Sequence, residues 1–169
     1  DLPNVVNLWG NGSAIVDLAR QLEAGALGLP PVLPSSLVLI GTSAGGLATV
    51  LAATKLPGIA GWIGLDPVDR MGTGIYAASS LEGPAIVLFG DASACNVAGS
   101  ARTFARALPR LVRAKKLEGA GPDAWQKLRG WHEMTHAEQE QMRTKRVMYR
   151  GMGAQVVVTF LSDRTASGM

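Results

Sequence analysis

Apolar residues in this chain gather into short unbroken runs separated by turns rich in glycine and proline. Residues 37–40, 59–65 and 84–89 are such runs, and Val38, Ile40, Ile63, Ile86 and Val87 supply them with β-branched side chains. Runs of this length and composition predict strands buried on both faces, as in a parallel sheet. Helical spacing alternates with them. Ile15, Leu18, Ala19 and Leu22 predict a helix over residues 14–22, capped by Ser13 and ended by Gly25 and Gly28. Residues 47–53, rich in Ala and Leu, predict a second helix, and residues 100–108 a third with Phe104 and Leu108 on one face. Leu29-Pro30-Pro31-Val32-Leu33-Pro34 reads as a rigid connector, Lys55-Leu56-Pro57-Gly58 as a turn, and residues 71–80 and 92–99 as loops. Strand, helix and strand joined by short connections predict parallel neighbours with right-handed crossovers. The expected fold class is therefore α/β: a mostly parallel sheet flanked by helices, in a single domain spanning 1–169.

Beyond residue 109 the pattern loses definition. Leu111, Val112 and Leu117 suit an edge strand, whereas Arg113, Lys115 and Lys116 suit a basic helix. Gly119-Ala120-Gly121-Pro122-Asp123 is a loop. Residues 137–161 read as a long helix interrupted at Gly151 and Gly153, although Val156 to Leu161 has equal propensity for a strand. The last residues, 162–169, are expected to fray.

Composition narrows the function classes. The chain has 169 residues, 47% hydrophobic and 17% charged, which fits one globular domain rather than a disordered chain. The net charge of +3 is mild, and with aromatics at 5% the cations between Arg102 and Arg150 read as a solvated face, not a nucleic-acid surface. The single cysteine, Cys95, excludes an internal disulfide. No C-x-x-C or H-E-x-x-H spacing is present, so the reading calls for no metal and no organic cofactor. No apolar run reaches the length of a membrane span.

One stretch carries chemistry. Gly41-Thr42-Ser43-Ala44-Gly45 is a G-x-S-x-G sequence between the first strand and the helix that follows it. In that context the serine stands at the tip of a strained turn with its hydroxyl exposed. Gly41 and Gly45 are expected where a Cβ would clash as strand and helix approach. The N–H of Ala44, at the helix N-terminus, is an expected oxyanion donor.

A serine nucleophile needs a base to take its proton and an acid to orient that base. The order Ser, Asp, His is available here. Ser43 is followed by Asp66, Asp69 and Asp91 at or just after strand ends, and then by His132 and His136, the chain's two histidines. In parallel sheets function gathers at the carboxyl ends of strands, where Ser43 and Asp66 are expected. Asp66 and Asp91 are both candidates for the acid, and Asp69 reads as a solvated turn residue. His132 and His136 are both candidates for the base.

Gly41-Thr42-Ser43-Ala44-Gly45-Gly46, then Gly64-Leu65-Asp66-Pro67-Val68-Asp69, then Cys95-Asn96, resemble chlorophyllases and their bacterial α/β-hydrolase relatives, which carry a G-H-S-x-G-G elbow and a strand ending in I-D-P-V. The resemblance covers residues 36–110, and the D-P-V element is its specific part. It implies an α/β-hydrolase fold, a small-molecule carboxylic ester as substrate, Ser43 as nucleophile and Asp66 as acid. The chain departs from that pattern at Thr42, which replaces a histidine, and at residues 119–123, where the family places its G-A-x-H base and this chain has no histidine. The family's first strands and second oxyanion loop have no counterpart before Asp1. The expectation is thus an incomplete, N-terminally truncated hydrolase domain with an exposed apolar sheet edge, completed by a missing segment or an oligomer partner.

Two other readings stand beside the esterase. One is a non-catalytic fragment that keeps the elbow but lacks base and oxyanion loop. The other is a patatin-type lipase with a Ser-Asp dyad, which resembles the same elbow but requires an Asp-Gly pair that this sequence lacks.

Overall fold

A computed structural model of the chain describes residues 8–118 except 70 and 95. The long helix expected over 137–161, both histidines and Cys95 lie outside the described residues.

The described part is an α/β fold. In chain order it runs α1 (Leu8–Glu23), a short 3-10 turn (Pro34–Ser36), β1 (Val38–Thr42), α2 (Ala44–Ala53), β2 (Gly61–Leu65), α3 (Thr73–Ser79), β3 (Ala85–Phe89), α4 (Ala101–Ala107) and β4 (Leu111–Lys116). The four strands form one sheet in the order β1-β2-β3-β4, and every neighbouring pair is parallel. Register aligns Thr42 with Leu65 and Leu65 with Leu88, so β1, β2 and β3 end at one level.

Side-chain alternation divides the core between the two faces of the sheet. Leu39, Trp62, Ala85 and Val87 join residues from all four helices in the larger cluster, which includes Val16, Leu47, Val50 and Phe104. Trp62 stacks on Phe104 with ring centroids 6.1 Å apart. Ile63, Ile86 and Leu88 form the smaller cluster on the other face, with Val38 and Leu65 against it. Nearly all of α2 is buried, as its Ala- and Leu-rich sequence requires.

Three expectations change, and one open alternative is decided. Ser13 does not cap α1, which begins at Leu8 and carries Ser13 in its exposed interior. Tertiary contact overrides the poor helix propensity of this stretch: Gly12 is buried where a Cβ would meet the Ala48 carbonyl at 3.3 Å. Residues 73–79 form α3 instead of a loop. The glycines there serve close approach, since a Cβ on Gly74 would overlap Phe104 and Leu47. Asp69 is buried, not solvated, and its Oδ1 accepts the Gly74 N–H at 2.7 Å in the first turn of α3. The ambiguous segment 110–117 contains the strand β4, paired with β3 through an irregularity between Ala85 and Ile86.

Candidate active site

Ser43 lies one step beyond β1 and begins α2. Its backbone, at φ 53° and ψ −123°, occupies a sparsely populated conformation for a residue with a side chain. Such a conformation costs about 1–3 kcal/mol and persists only where its surroundings over-determine it. The surroundings here do so. Ser43 N–H donates to the Leu65 carbonyl at 3.0 Å, continuing the β1–β2 ladder past the strand. The Ser43 carbonyl accepts from Gly46 N–H at 2.9 Å, Leu47 N–H at 3.4 Å and Val68 N–H at 3.3 Å. The first two bonds start α2, and the third ties the turn to the D-P-V segment.

Glycine is required on both sides of the turn, although not at both expected positions. A Cβ on Gly41 would overlap the Gly45 carbonyl and the Thr49 hydroxyl. A Cβ on Gly45 would meet no atom within 4 Å, and Gly45 is exposed. The second close approach belongs to Gly46, where a Cβ would stand 2.7 Å from Pro67 Cβ. The clash expected at Gly45 is therefore one residue later, because the helix turns Gly46 and not Gly45 toward the neighbouring D-P-V segment.

Thr49 braces the turn from beneath. Its hydroxyl lies 2.9 Å from the Gly45 carbonyl and 3.1 Å from the Gly46 carbonyl, and it accepts the buried Trp62 indole N–H at 3.0 Å. This residue carried no motif signal. A β-branched hydroxyl four residues after Gly45 is the only trace of the role in the sequence, and such residues in helices commonly bond back to a carbonyl one turn earlier.

Asp66 occupies the equivalent place on the adjacent strand, one step beyond β2. Its N–H donates to the Leu88 carbonyl at 2.6 Å, and its φ of 48° turns the chain sharply into Pro67. Asp tolerates this left-handed conformation better than most residues with a side chain. The side chain is buried. Asn96 Nδ2 donates to Oδ2 at 3.2 Å and reaches Oδ1 at 3.4 Å, and Gly90 N–H donates to Oδ1 at 3.5 Å. Burial pushes the carboxyl above the ordinary aspartate range, and the bonds from Asn96 and Gly90 oppose that rise.

Asp91 is in a different setting. Its carboxylate is half exposed and ion-paired to Lys116 Nζ at 2.8 Å, and Lys116 also meets Glu118 at 2.7 Å. The two carboxylates raise the Lys116 pKa. The structure thus brings Ser43 and Asp66 onto adjacent strand ends and ties Asp91 to β4. His132 and His136 lie outside the described residues. Thr42 and Ala44 are half-buried on either side of Ser43. No group of three or more His, Cys, Asp and Glu side chains suited to a metal ion occurs among the described residues.

Asn96 is the residue that sequence reasoning underused. It was visible as the second half of the Cys95-Asn96 pair, but its contact with Asp66 depends on the path of the 91–100 loop. No protein-family model and no curated protein sequence matches the chain.

Proposed function

We propose that this protein is a serine hydrolase that cleaves carboxylic esters through an acyl-enzyme at Ser43. The observation that carries the reading is the Ser43 backbone: a serine at φ 53° and ψ −123° at a strand-to-helix junction, with glycine enforced at Gly41 and Gly46. A turn of that shape lifts the hydroxyl off the sheet and leaves the first N–H groups of α2 beside it. A Gly/Ser loop that merely reversed the chain would not need it.

In the proposed reaction Ser43 Oγ attacks the ester carbonyl as a histidine takes its proton, and that histidine is His132 or His136. Asp66 orients the base and stabilises its charged form, because it is buried, bonded on both oxygens and adjacent to Ser43 across the β1–β2 register. Asp91 is less suited, since Lys116 already neutralises it at a half-exposed position. The Ala44 N–H donates to the developing oxyanion. The protonated histidine then passes its proton to the departing alcohol, and water attacks the acyl-enzyme in the reverse sense. The resemblance to chlorophyllases and their bacterial relatives supports the same assignment of Ser43 and Asp66, and supports an ester as the substrate class.

The test is turnover of p-nitrophenyl esters of graded acyl length. The wild-type chain is expected to hydrolyse at least one ester, with Ser43→Ala reducing kcat by about 10³-fold or more and Asp66→Ala by about 10²-fold or more. Equal turnover by wild type and Ser43→Ala would remove the proposal and favour a non-catalytic role for the elbow.

A further inference from the structure

The 91–100 loop contains an expensive piece of backbone. Val97 at φ 50°, Ala98 at φ 54° and Gly99 at φ 80° are successive left-handed residues. Glycine adopts this conformation freely, whereas Val and Ala do not, and a β-branched residue there is a marked outlier. The bonds that hold the turn converge on Asn96. Its Oδ1 accepts Ser93 N–H at 2.8 Å and Gly99 N–H at 2.9 Å. Its backbone carbonyl accepts Gly99 N–H and Ser100 N–H, each at 3.1 Å.

These bonds also settle which way the amide points. With Oδ1 engaged by two backbone donors, Nδ2 must face the other way, and an amide flip would set donor against donor. Two protons remain to be placed. One goes to the Asp91 carbonyl at 2.8 Å, and the other lies across the Asp66 carboxylate, 3.2 Å from Oδ2 and 3.4 Å from Oδ1. Asn96 itself is buried at 1% exposure, so water cannot substitute for this donor without rearrangement.

We propose that Asn96 is a positioning residue of the site: the left-handed turn at residues 97–99 exists to aim its amide N–H at Asp66, which fixes the carboxylate's orientation. A loop needed only to connect β3 to α4 has no reason to hold Val97 and Ala98 in this conformation, and an asparagine needed only to cap a turn has no reason to spend its N–H on a buried acid. The charged side chains on the neighbouring segments are otherwise engaged. Asp69 binds Gly74 N–H, Asp91 pairs with Lys116, which also meets Glu118, and Arg102 lies over the Phe89 ring. Asn96 is thus the side chain that donates to Asp66 among the described residues.

The proposal rests on the hydrolase reading for its catalytic consequence, but the test separates the two. The titration of the Asp66 carboxyl carbon is followed by NMR in wild type, Asn96→Ala and Ser93→Ala. The last variant removes the Ser93 hydroxyl, which lies 3.4 Å from the Asn96 N–H, and leaves the Asn96 amide in place. The Asp66 midpoint is expected to move to higher pH in Asn96→Ala and to stay put in Ser93→Ala. Reaction of Ser43 with a fluorophosphonate is expected to slow about tenfold in Asn96→Ala, the worth of one charge-assisted hydrogen bond, with its acid limb displaced to higher pH. An unmoved Asp66 midpoint in folded Asn96→Ala overturns the proposal. If Asn96→Ala does not fold, the wild-type protein decides: the Asn96 side-chain N–H resonance must titrate with the Asp66 midpoint, and a flat resonance overturns the proposal. Failure of Ser43 to react in the wild-type protein would overturn the hydrolase reading instead, and the carboxyl titration would still decide the role of Asn96.

Discussion

Gly41 and Gly45 stand two residues on either side of Ser43 in sequence, yet their surroundings are opposite. Gly41 faces the Gly45 carbonyl and the Thr49 hydroxyl with no room for a methyl group, whereas Gly45 faces open space. Gly41→Ala is therefore expected to destabilise the fold by about 1–3 kcal/mol, the usual cost of overpacking. Gly45→Ala is expected to be neutral or to stabilise by up to about 1 kcal/mol, since alanine is the better helix former. Urea denaturation of the two variants checks this, and equal losses would contradict it. Asp66 makes the second prediction at this scale. Its carboxyl is held above the ordinary aspartate range mainly by burial. The native state then binds the proton more tightly than the unfolded chain does. Stability is complete below the ordinary aspartate range and falls as pH climbs through the window up to the raised native value. Asp66→Asn keeps an oxygen for Asn96 and removes the buried charge. Its urea midpoint is expected to equal or exceed that of wild type at pH 7, with the difference vanishing in acid. A variant less stable than wild type at neutral pH would contradict the burial argument.

Among the elements, α2 matters most for the site; it packs on β2 through the apolar core and is joined to it by a side-chain hydrogen bond between Trp62 and Thr49. Trp62 buries its indole N–H against Thr49, and Thr49 in turn reaches the carbonyls of Gly45 and Gly46. Thr49→Val preserves shape but strands the indole donor and is expected to cost about 1–3 kcal/mol, while Thr49→Ser is expected to retain most of the stability. Thermal melting distinguishes the two, and identical losses would mean that packing, not the hydrogen bond, holds the pair. The strands β1, β2 and β3 and the helices α2 and α4 were legible in the sequence, because continuous apolar runs and helical spacing act locally. The start of α1 was not, because the contact of Gly12 with Ala48 is tertiary. Glycines around α3 resembled a loop because the residues that need them small, Leu47 and Phe104, are distant in the chain. The segment 110–117 carried cations that suit an exposed edge as well as a helix, and only pairing with β3 decides between them. At the candidate site, the positions of Ser43 and Asp66 just after β1 and β2 were legible from the apolar runs, whereas the burial of Asp69 and the aim of Asn96 depend on loops.

At the scale of the whole molecule, the described sheet has unlike edges. β4 carries Arg113, Lys115 and Lys116, charges that discourage edge-to-edge pairing. β1 pairs with β2 alone among the described residues and leaves Ile40 at 49% exposure. Ser43 follows that edge strand directly, and Asp66 follows the next. A base from His132 or His136 must reach them for the proposed chemistry to run, so reactivity at Ser43 reports on how the entire chain assembles. The most direct measurement is reaction of the folded 169-residue chain with a fluorophosphonate, followed by peptide mass spectrometry. The account predicts one stoichiometric adduct on Ser43, abolished by prior heat denaturation. Folded protein that acquires no adduct, or acquires it on another residue, would contradict the claim that Ser43 is an activated nucleophile.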